Sequence, residues 1–122
     1  MRNLDFDRAQ PVSVPGGSAI PIAALHGSAA SARQWSKLAA HLADDFRFLA
    51  PDMYAGAGAA ASPLGGSASL QARADGIAAT LEACGRPVHL IGHSAGGVVA
   101  AKIALCRPDL VASLTLIEPV LF

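Results

Sequence analysis

Aromatic side chains are scarce in this chain. They make up 5% of it, with one tryptophan and one tyrosine among them. A core must then be assembled from small aliphatic pieces, alanine above all. Cysteine is also scarce. The two thiols, Cys84 and Cys106, lie within helical patterns and exclude a disulfide scaffold. They read as buried free thiols of a cytoplasmic protein. No sign of charge is in excess: nine basic and nine acidic residues cancel. Without a basic cluster, nucleic acid is excluded as a partner. No apolar run approaches the roughly 20 residues that span a bilayer, so no membrane partner is expected. The N-terminus carries an early acid, Asp5, and no apolar stretch behind it, so no secretory leader is expected. No cluster of His, Cys, Asp and Glu has ligand spacing, so no metal is expected, and no other cofactor.

What is present is an alternation of two periods. Residues 1–19 are rich in Pro and Gly and form an N-terminal segment, with a short edge strand expected near Val12 to Val14. Residues 20–122 form the one domain. Pro21 to Leu25 is a continuous apolar run ending in His26-Gly27-Ser28, which reads as a buried parallel strand. Ser31 followed by Gln34 has the form of a capping box. Trp35, Leu38 and Leu42 then recur at helical spacing, so a helix is expected over about 31–43. Phe46 to Ala50 is the next strand, closed by Pro51-Asp52. Residues 53–68 have loop composition.

A second helix is expected from about Ser69 to Cys84, with Leu70, Ala74, Ile77 and Leu81 on one face. Gly85 and Pro87 end it. Val88 to Ile91 is a strand, Ala95 to Cys106 a helix stopped by Arg107-Pro108, and Ala112 to Ile117 a last strand. This order predicts an α/β fold: three layers, a mostly parallel sheet with helices on both faces. In such sheets the working groups lie at the C-terminal strand ends. His26-Gly27-Ser28, Asp52, Ser94 and Glu118 all fall there.

The chain is organised around Val88 to Gly97, which reads V-H-L-I-G-H-S-A-G-G. Gly92-His93-Ser94-Ala95-Gly96 is G-x-S-x-G with a strand before it and a helix after it, the context of a nucleophile elbow. A serine at the tip of so tight a turn has strained dihedrals. Glycines two positions to either side have no Cβ to clash there. The first amides of the following helix point toward the serine, where they stabilise an oxyanion.

With these residues in place, residues 20–122 resemble the N-terminal half of an α/β-hydrolase. The resemblance is carried by A-L-H-G-S with Trp35 beyond it, A-P-D at Ala50 to Asp52, L-I-G-H-S-A-G-G, and R-P-D-L-V-A-S-L-T-L-I-E-P from Arg107 to Pro119. It implies Ser94 as nucleophile, with an oxyanion hole from the backbone N–H groups of Ser28 and Ala95. His26, Gly27, Gly92, His93 and Gly96 support the elbow and the loop beside it. Glu118 stands where some members carry the triad acid. The implied substrate is a small molecule with an ester, acyl or C–C bond to cleave. Acyl transfer and perhydrolysis share the same serine chemistry.

Two departures bear on activity. The loop Met53-Tyr54-Ala55-Gly56-Ala57-Gly58 lacks the Arg or His that the family usually places between two glycines. The family's triad runs in the order Ser, acid, His, yet all four histidines (His26, His41, His89 and His93) precede Ser94. A neighbour on a tight turn points elsewhere, a strand histidine cannot reach past the elbow, and His26 belongs to the loop turn. His41 is expected to be solvated. The expectation is therefore an incomplete core, with nucleophile and oxyanion hole but no base and no cap. Its activity as this chain would be impaired. The alternative is a non-catalytic α/β domain that binds a ligand or is completed by another chain. The last strand would expose an apolar edge open to self-association. Asp109 reads as an ordinary exposed turn residue, and Asp52 as an acceptor that orients a loop.

Overall fold

A computed structural model of the chain describes residues 20–53 and 69–120. The strand expected near Val12 to Val14 and the loop from residue 54 to 68 lie outside the described residues. Four strands, β1 (Ile20–Leu25), β2 (Phe46–Leu49), β3 (Val88–His93) and β4 (Val111–Ile117), pair in parallel in the order β2-β1-β3-β4. The first helical segment is a 3-10 turn, Ala32–Trp35, followed by α1 (Ser36–Leu42). α2 is Leu70–Glu82 and α3 is Ala95–Cys106. The expected helix over 31–43 is thus split, with the tighter turn at its start.

β1 is central, which explains its unbroken apolar run. Its residues alternate between two cores, as the period of two requires. Ala23 and Leu25 face α2 and α3 with Leu49, Leu90, Ala74, Ile77, Ala78, Leu81, Val99, Ala100 and Ile103. Ile22 and Ala24 join Phe48, Trp35 and Ala39 on the opposite side. Helices therefore cover both faces, giving the three layers the pattern predicts. Each fully buried leucine, such as Leu25, Leu81 or Leu90, contributes about 1.5–3 kcal/mol. Alanines at 23, 24 and 100 keep the layers close while adding little volume.

Helix ends follow the local chemistry. The Ser69 hydroxyl accepts the Ala72 N–H at 3.1 Å, an N-cap bond. Past α2, Gly85 takes φ +74°, the left-handed region that a Cβ disfavours. Leu70, expected on the buried face of α2, is 41% exposed: it stands in the first turn, and the buried residues of the helix begin at Ala74.

β4 departs from the reading of strands buried on both sides. Leu114 and Ile117 are exposed, and no described residue pairs with its outer edge. Asp109 is exposed but is more than a turn residue. Arg107 donates to it from Nε at 3.0 Å and from Nη2 at 2.9 Å, and from Nη1 to Glu82 at 2.6 Å. Those hydrogen bonds hold the Asp109 carboxyl below the usual carboxylate range and tie the end of α2 to the turn before β4. The thiols differ from expectation as well. Cys84 is half-buried and Cys106 is exposed; both are free.

The strand order reverses direction at β1. The chain steps from β1 outward to β2, then returns to place β3 on the other side of β1. The segments leaving the C-terminal ends of β1 and β3 therefore lead to helices on opposite faces, the topology at which α/β sheets carry their ligands.

Candidate active site

Ser94 sits between the end of β3 and the first residue of α3 with φ 53° and ψ −119°. A non-glycine residue held there costs about 1–3 kcal/mol, and surrounding bonds must hold it. Its N–H donates to the Ile117 carbonyl at 3.0 Å, which fastens the turn to β4. Its carbonyl accepts the N–H of Gly97 at 2.9 Å and of Val98 at 3.3 Å, which starts α3.

The flanking glycines answer a different demand from the one their spacing implies. A Cβ at Gly92 would stand 2.6 Å from the Gly96 oxygen and from the Gly97 Cα. A Cβ at Gly96 would stand 2.5 Å from the His26 oxygen and would also strike the Leu25 oxygen. These glycines clear backbone for backbone, not space for the serine. Gly96 lets the start of α3 press on the end of β1, which brings the loop after β1 to the serine.

That loop is held from three sides. His26 is fully buried. Its Nε2 lies 2.9 Å from the Met53 N–H and 3.2 Å from Asp52 Oδ1. One ring nitrogen cannot accept from the first and donate to the second. The amide has only a proton to offer, so Nε2 carries the lone pair, and Nδ1–H donates to the Gly27 carbonyl at 2.8 Å. His26 thus joins the loop after β1 to the segment after β2, and Arg73 Nη1 joins that segment to α2 by donating to the Met53 carbonyl at 3.0 Å. Asp52, expected to orient this loop, lies 3.2 Å from a ring nitrogen that has no proton to give it, and the Met53 N–H makes the link instead. The third side is Gln34. Its Oε1 accepts the Gly27 N–H at 3.0 Å, and its Nε2 donates to His93 Nδ1 at 3.1 Å.

Gly27 rests on the elbow: a Cβ there would be 3.5 Å from the Ser94 Cβ and 3.1 Å from His93 Nδ1. Ser28 follows, exposed, and Ala95 begins α3. Neither backbone N–H has an acceptor among the described residues. Among the described residues these two amides are unpaired: that of Ala95 adjoins the half-buried Ser94, and that of Ser28 follows Gly27, which rests against it.

The other candidates are more scattered. His41 is exposed on α1. His89 Nδ1 lies 2.6 Å from the Ser113 hydroxyl across the β3–β4 pair, well upstream of the elbow. His26 and His93 are engaged as described, so no described histidine is hydrogen-bonded to Ser94. Glu118 directly follows Ile117, whose carbonyl holds the Ser94 N–H. It takes φ 46°, is exposed, and its carboxylate has no partner among the described residues. Pro119 behind it lies against Gly97. Among the described residues no group of three or more His, Cys, Asp and Glu has metal-binding proximity. No described helix is long and apolar enough to cross a membrane.

Gln34 is the residue that sequence reasoning misplaced. As a capping-box residue it would reach back to the Ser31 N–H. The Ser31 hydroxyl does accept the Arg33 N–H at 3.3 Å, but Gln34 turns to the loop. The one usable signal was proximity: Gln34 precedes Trp35, which is buried under β1, only a few residues after Gly27.

Residues 22–122 match the sequence model of a family described as "Alpha/beta hydrolase family". Lipase LipV of Mycobacterium tuberculosis is 38% identical over 106 residues, which cover 86% of this chain and 39% of that protein. A fluoroacetate dehalogenase of a Burkholderia species is 30% identical over 110 residues, covering 86% of this chain and 36% of that protein. Among solved structures, a thioesterase domain from the curacin biosynthetic pathway superposes with a TM-score of 0.74 at 25% identity, over 85% of this chain and 39% of that one. The chain spans less than two fifths of the length of the curated relatives it matches.

Proposed function

The chain belongs to the alpha/beta hydrolase family, and from that premise we propose that it carries the nucleophile half of a serine hydrolase, with Ser94 attacking an acyl carbonyl. The observation that carries this is the placement of Ser94, at a strained turn next to the Ala95 N–H and against the Gly27 loop that continues into Ser28, neither amide having an acceptor among the described residues. The Ser94 hydroxyl adds to the carbonyl carbon, and the oxygen that gains charge is received by the N–H groups of Ser28 and Ala95. The start of α3 adds its positive dipole end. Loss of one such donor typically costs about 10²–10³ in rate.

The relatives include a lipase, a thioesterase domain and a dehalogenase. A serine at this position favours acyl chemistry over displacement of a halide. An acyl ester on Ser94 can be hydrolysed and the hydroxyl regenerated, whereas displacement by an alkoxide would leave a stable ether. Hydrolysis and transfer to another acceptor share this acyl intermediate.

Glu118 is proposed as the triad acid, on the strength of its place beside the Ser94 N–H anchor at Ile117. A base is not assigned to any of the four histidines. The 122-residue chain alone should therefore turn over slowly, near the roughly 10³–10⁴-fold over water that an oxyanion hole and binding sustain without the full triad. A fluorophosphonate followed by intact mass and peptide mapping tests the assignment. One adduct on Ser94, abolished in Ser94→Ala, is expected; an unchanged adduct in that variant would refute it.

A second reading is a non-catalytic domain completed by another chain, and the outer edge of β4, unpaired among the described strands, favours it. Light scattering separates the two. A stable dimer in which Ser94 stays inert to the probe supports the second reading.

A further inference from the structure

We propose that Gln34 is a positioning residue that sets the oxyanion loop and the tautomer of His93 with a single amide. Its functional half rests on Ser94 and Ser28 acting as described above; its tautomer half does not. Gln34 spans two elements, the loop after β1 and the elbow, and its orientation admits one solution. The Gly27 N–H can only donate, so the atom facing it at 3.0 Å is Oε1. The amide nitrogen then faces His93 Nδ1 at 3.1 Å. An amide nitrogen can only donate, so Nδ1 carries the lone pair and the His93 ring proton resides on Nε2.

Two consequences follow. The buried Gly27 amide is satisfied from the α1 side, which leaves the next amide, that of Ser28, as the one free to receive charge. The bond to Oε1 fixes the His26–Gly27 peptide, and so the Gly27 Cα from which the next peptide hangs. That next peptide aims the Ser28 N–H, and His26 Nδ1 and the Ala30 N–H hold it through the Gly27 carbonyl. The second consequence concerns His93. Its ring packs on Gly27, which has room for no Cβ without pressing Nδ1 at 3.1 Å. Gln34 holds that ring edge in place, next in sequence to the nucleophile.

The backbone of Gln34 is itself fixed, as a positioning role requires. Its N–H donates to the Ser31 carbonyl at 3.0 Å. Trp35 beside it is only 5% exposed, packed beneath β1 and β2. The side chain therefore bridges two points from a rigid mount.

Two variants of the full 122-residue chain test this. Gln34→Glu keeps an acceptor for Gly27 but offers His93 Nδ1 no donor; Gln34→Leu removes both bonds. Long-range ¹H–¹⁵N correlation spectra read the His93 tautomer directly. The expected result is the Nε2–H form in the parent chain, the Nδ1–H form in Gln34→Glu, and a mixture in Gln34→Leu. A parent chain in the Nδ1–H form, or an unchanged tautomer in Gln34→Glu, overturns the proposal. In parallel, Gln34→Leu should slow fluorophosphonate modification of Ser94 by about tenfold or more, as misplacement of a donor does. Modification at the parent rate overturns the functional half. A parent chain inert to the probe counts against Ser94 as nucleophile, and the tautomer spectra then decide the role of Gln34 on their own. Circular-dichroism melts of each variant separate these outcomes from misfolding.

Discussion

The start of α3 lies so close to the end of β1 that a methyl group on Gly96 would stand 2.5 Å from the carbonyl oxygen of His26. This approach of backbone to backbone joins the elbow to the loop beside it. That contact is set by a missing side chain.

Gly96→Ala should therefore both destabilise the chain and misplace the loop. Backbone on both sides must move, and overpacking of this kind costs about 1–3 kcal/mol. For a domain of this size that is a fall of about 4–8 °C in Tm for each kcal/mol, read by calorimetry. Modification of Ser94 by a fluorophosphonate should slow in the same variant. Gly76 lies in the middle of α2, and a methyl group added there would meet nothing within 4 Å. Gly76→Ala should raise Tm, since alanine is favoured over glycine in a helix by about 0.5–1 kcal/mol. Equal effects at the two positions would contradict the close-approach account.

His26→Leu should be costly despite the similar size of the two side chains. The Met53 N–H would lose its buried partner, while the Gly27 carbonyl would keep the Ala30 N–H of its two donors. A buried amide left unpaired costs about 1–3 kcal/mol. Urea unfolding should show a lower midpoint, and amide exchange at Met53 should accelerate more than at the α1 amides. Protection of Met53 at the parent level would count against the assigned hydrogen bond.

The two thiols should react at different rates. Burial raises the Cys84 pKa, against the opposing pull of Arg47, and Cys106 is exposed. Iodoacetamide at mildly alkaline pH should alkylate Cys106 first, as peptide mass mapping can follow. The upward shift also has a stability consequence. Keeping the Cys84 thiol protonated stabilises the fold below the unfolded thiol's pKa only in relative terms: the folded state resists ionisation, so stability falls as pH rises from the unfolded pKa through the folded one. The urea midpoint of Cys84→Ala should decline less steeply in alkali than that of the parent chain.

Glu118→Asn separates strain from chemistry. Glu118 holds φ 46°, a region asparagine tolerates better than glutamate. Stability should hold or rise slightly. If the carboxylate serves as triad acid, ester turnover should fall in the same variant. Unchanged turnover would remove Glu118 from the proposed triad and leave Ser94 untouched.

Local patterns were enough to read most of the architecture. The run Pro21–Leu25 is unbroken because both its faces are buried, so it marks a central strand. The elbow was legible because its demands are local: a strand, a turn with φ above zero, and a helix, all within ten residues. What misled were residues whose partners lie far along the chain. Gln34 has the spacing of a cap, yet Gly27 and His93 compete for its amide and win. Leu70 has the spacing of a core residue, yet the buried face of α2 begins only at Ala74. Asp109 looks like a turn residue because Glu82, which shares Arg107 with it, is distant in sequence.

The sequence by itself determined the class of fold, the order of its elements and the identity of the serine at the turn, because hydrophobic period and backbone sterics act over a few residues. Only the tertiary structure decided which amide is held and which is left open, which ring nitrogen carries a proton, and which strand stays exposed. Those depend on the strand order β2-β1-β3-β4, which brings the ends of β1 and β3 side by side and leaves β4 outermost among the described strands.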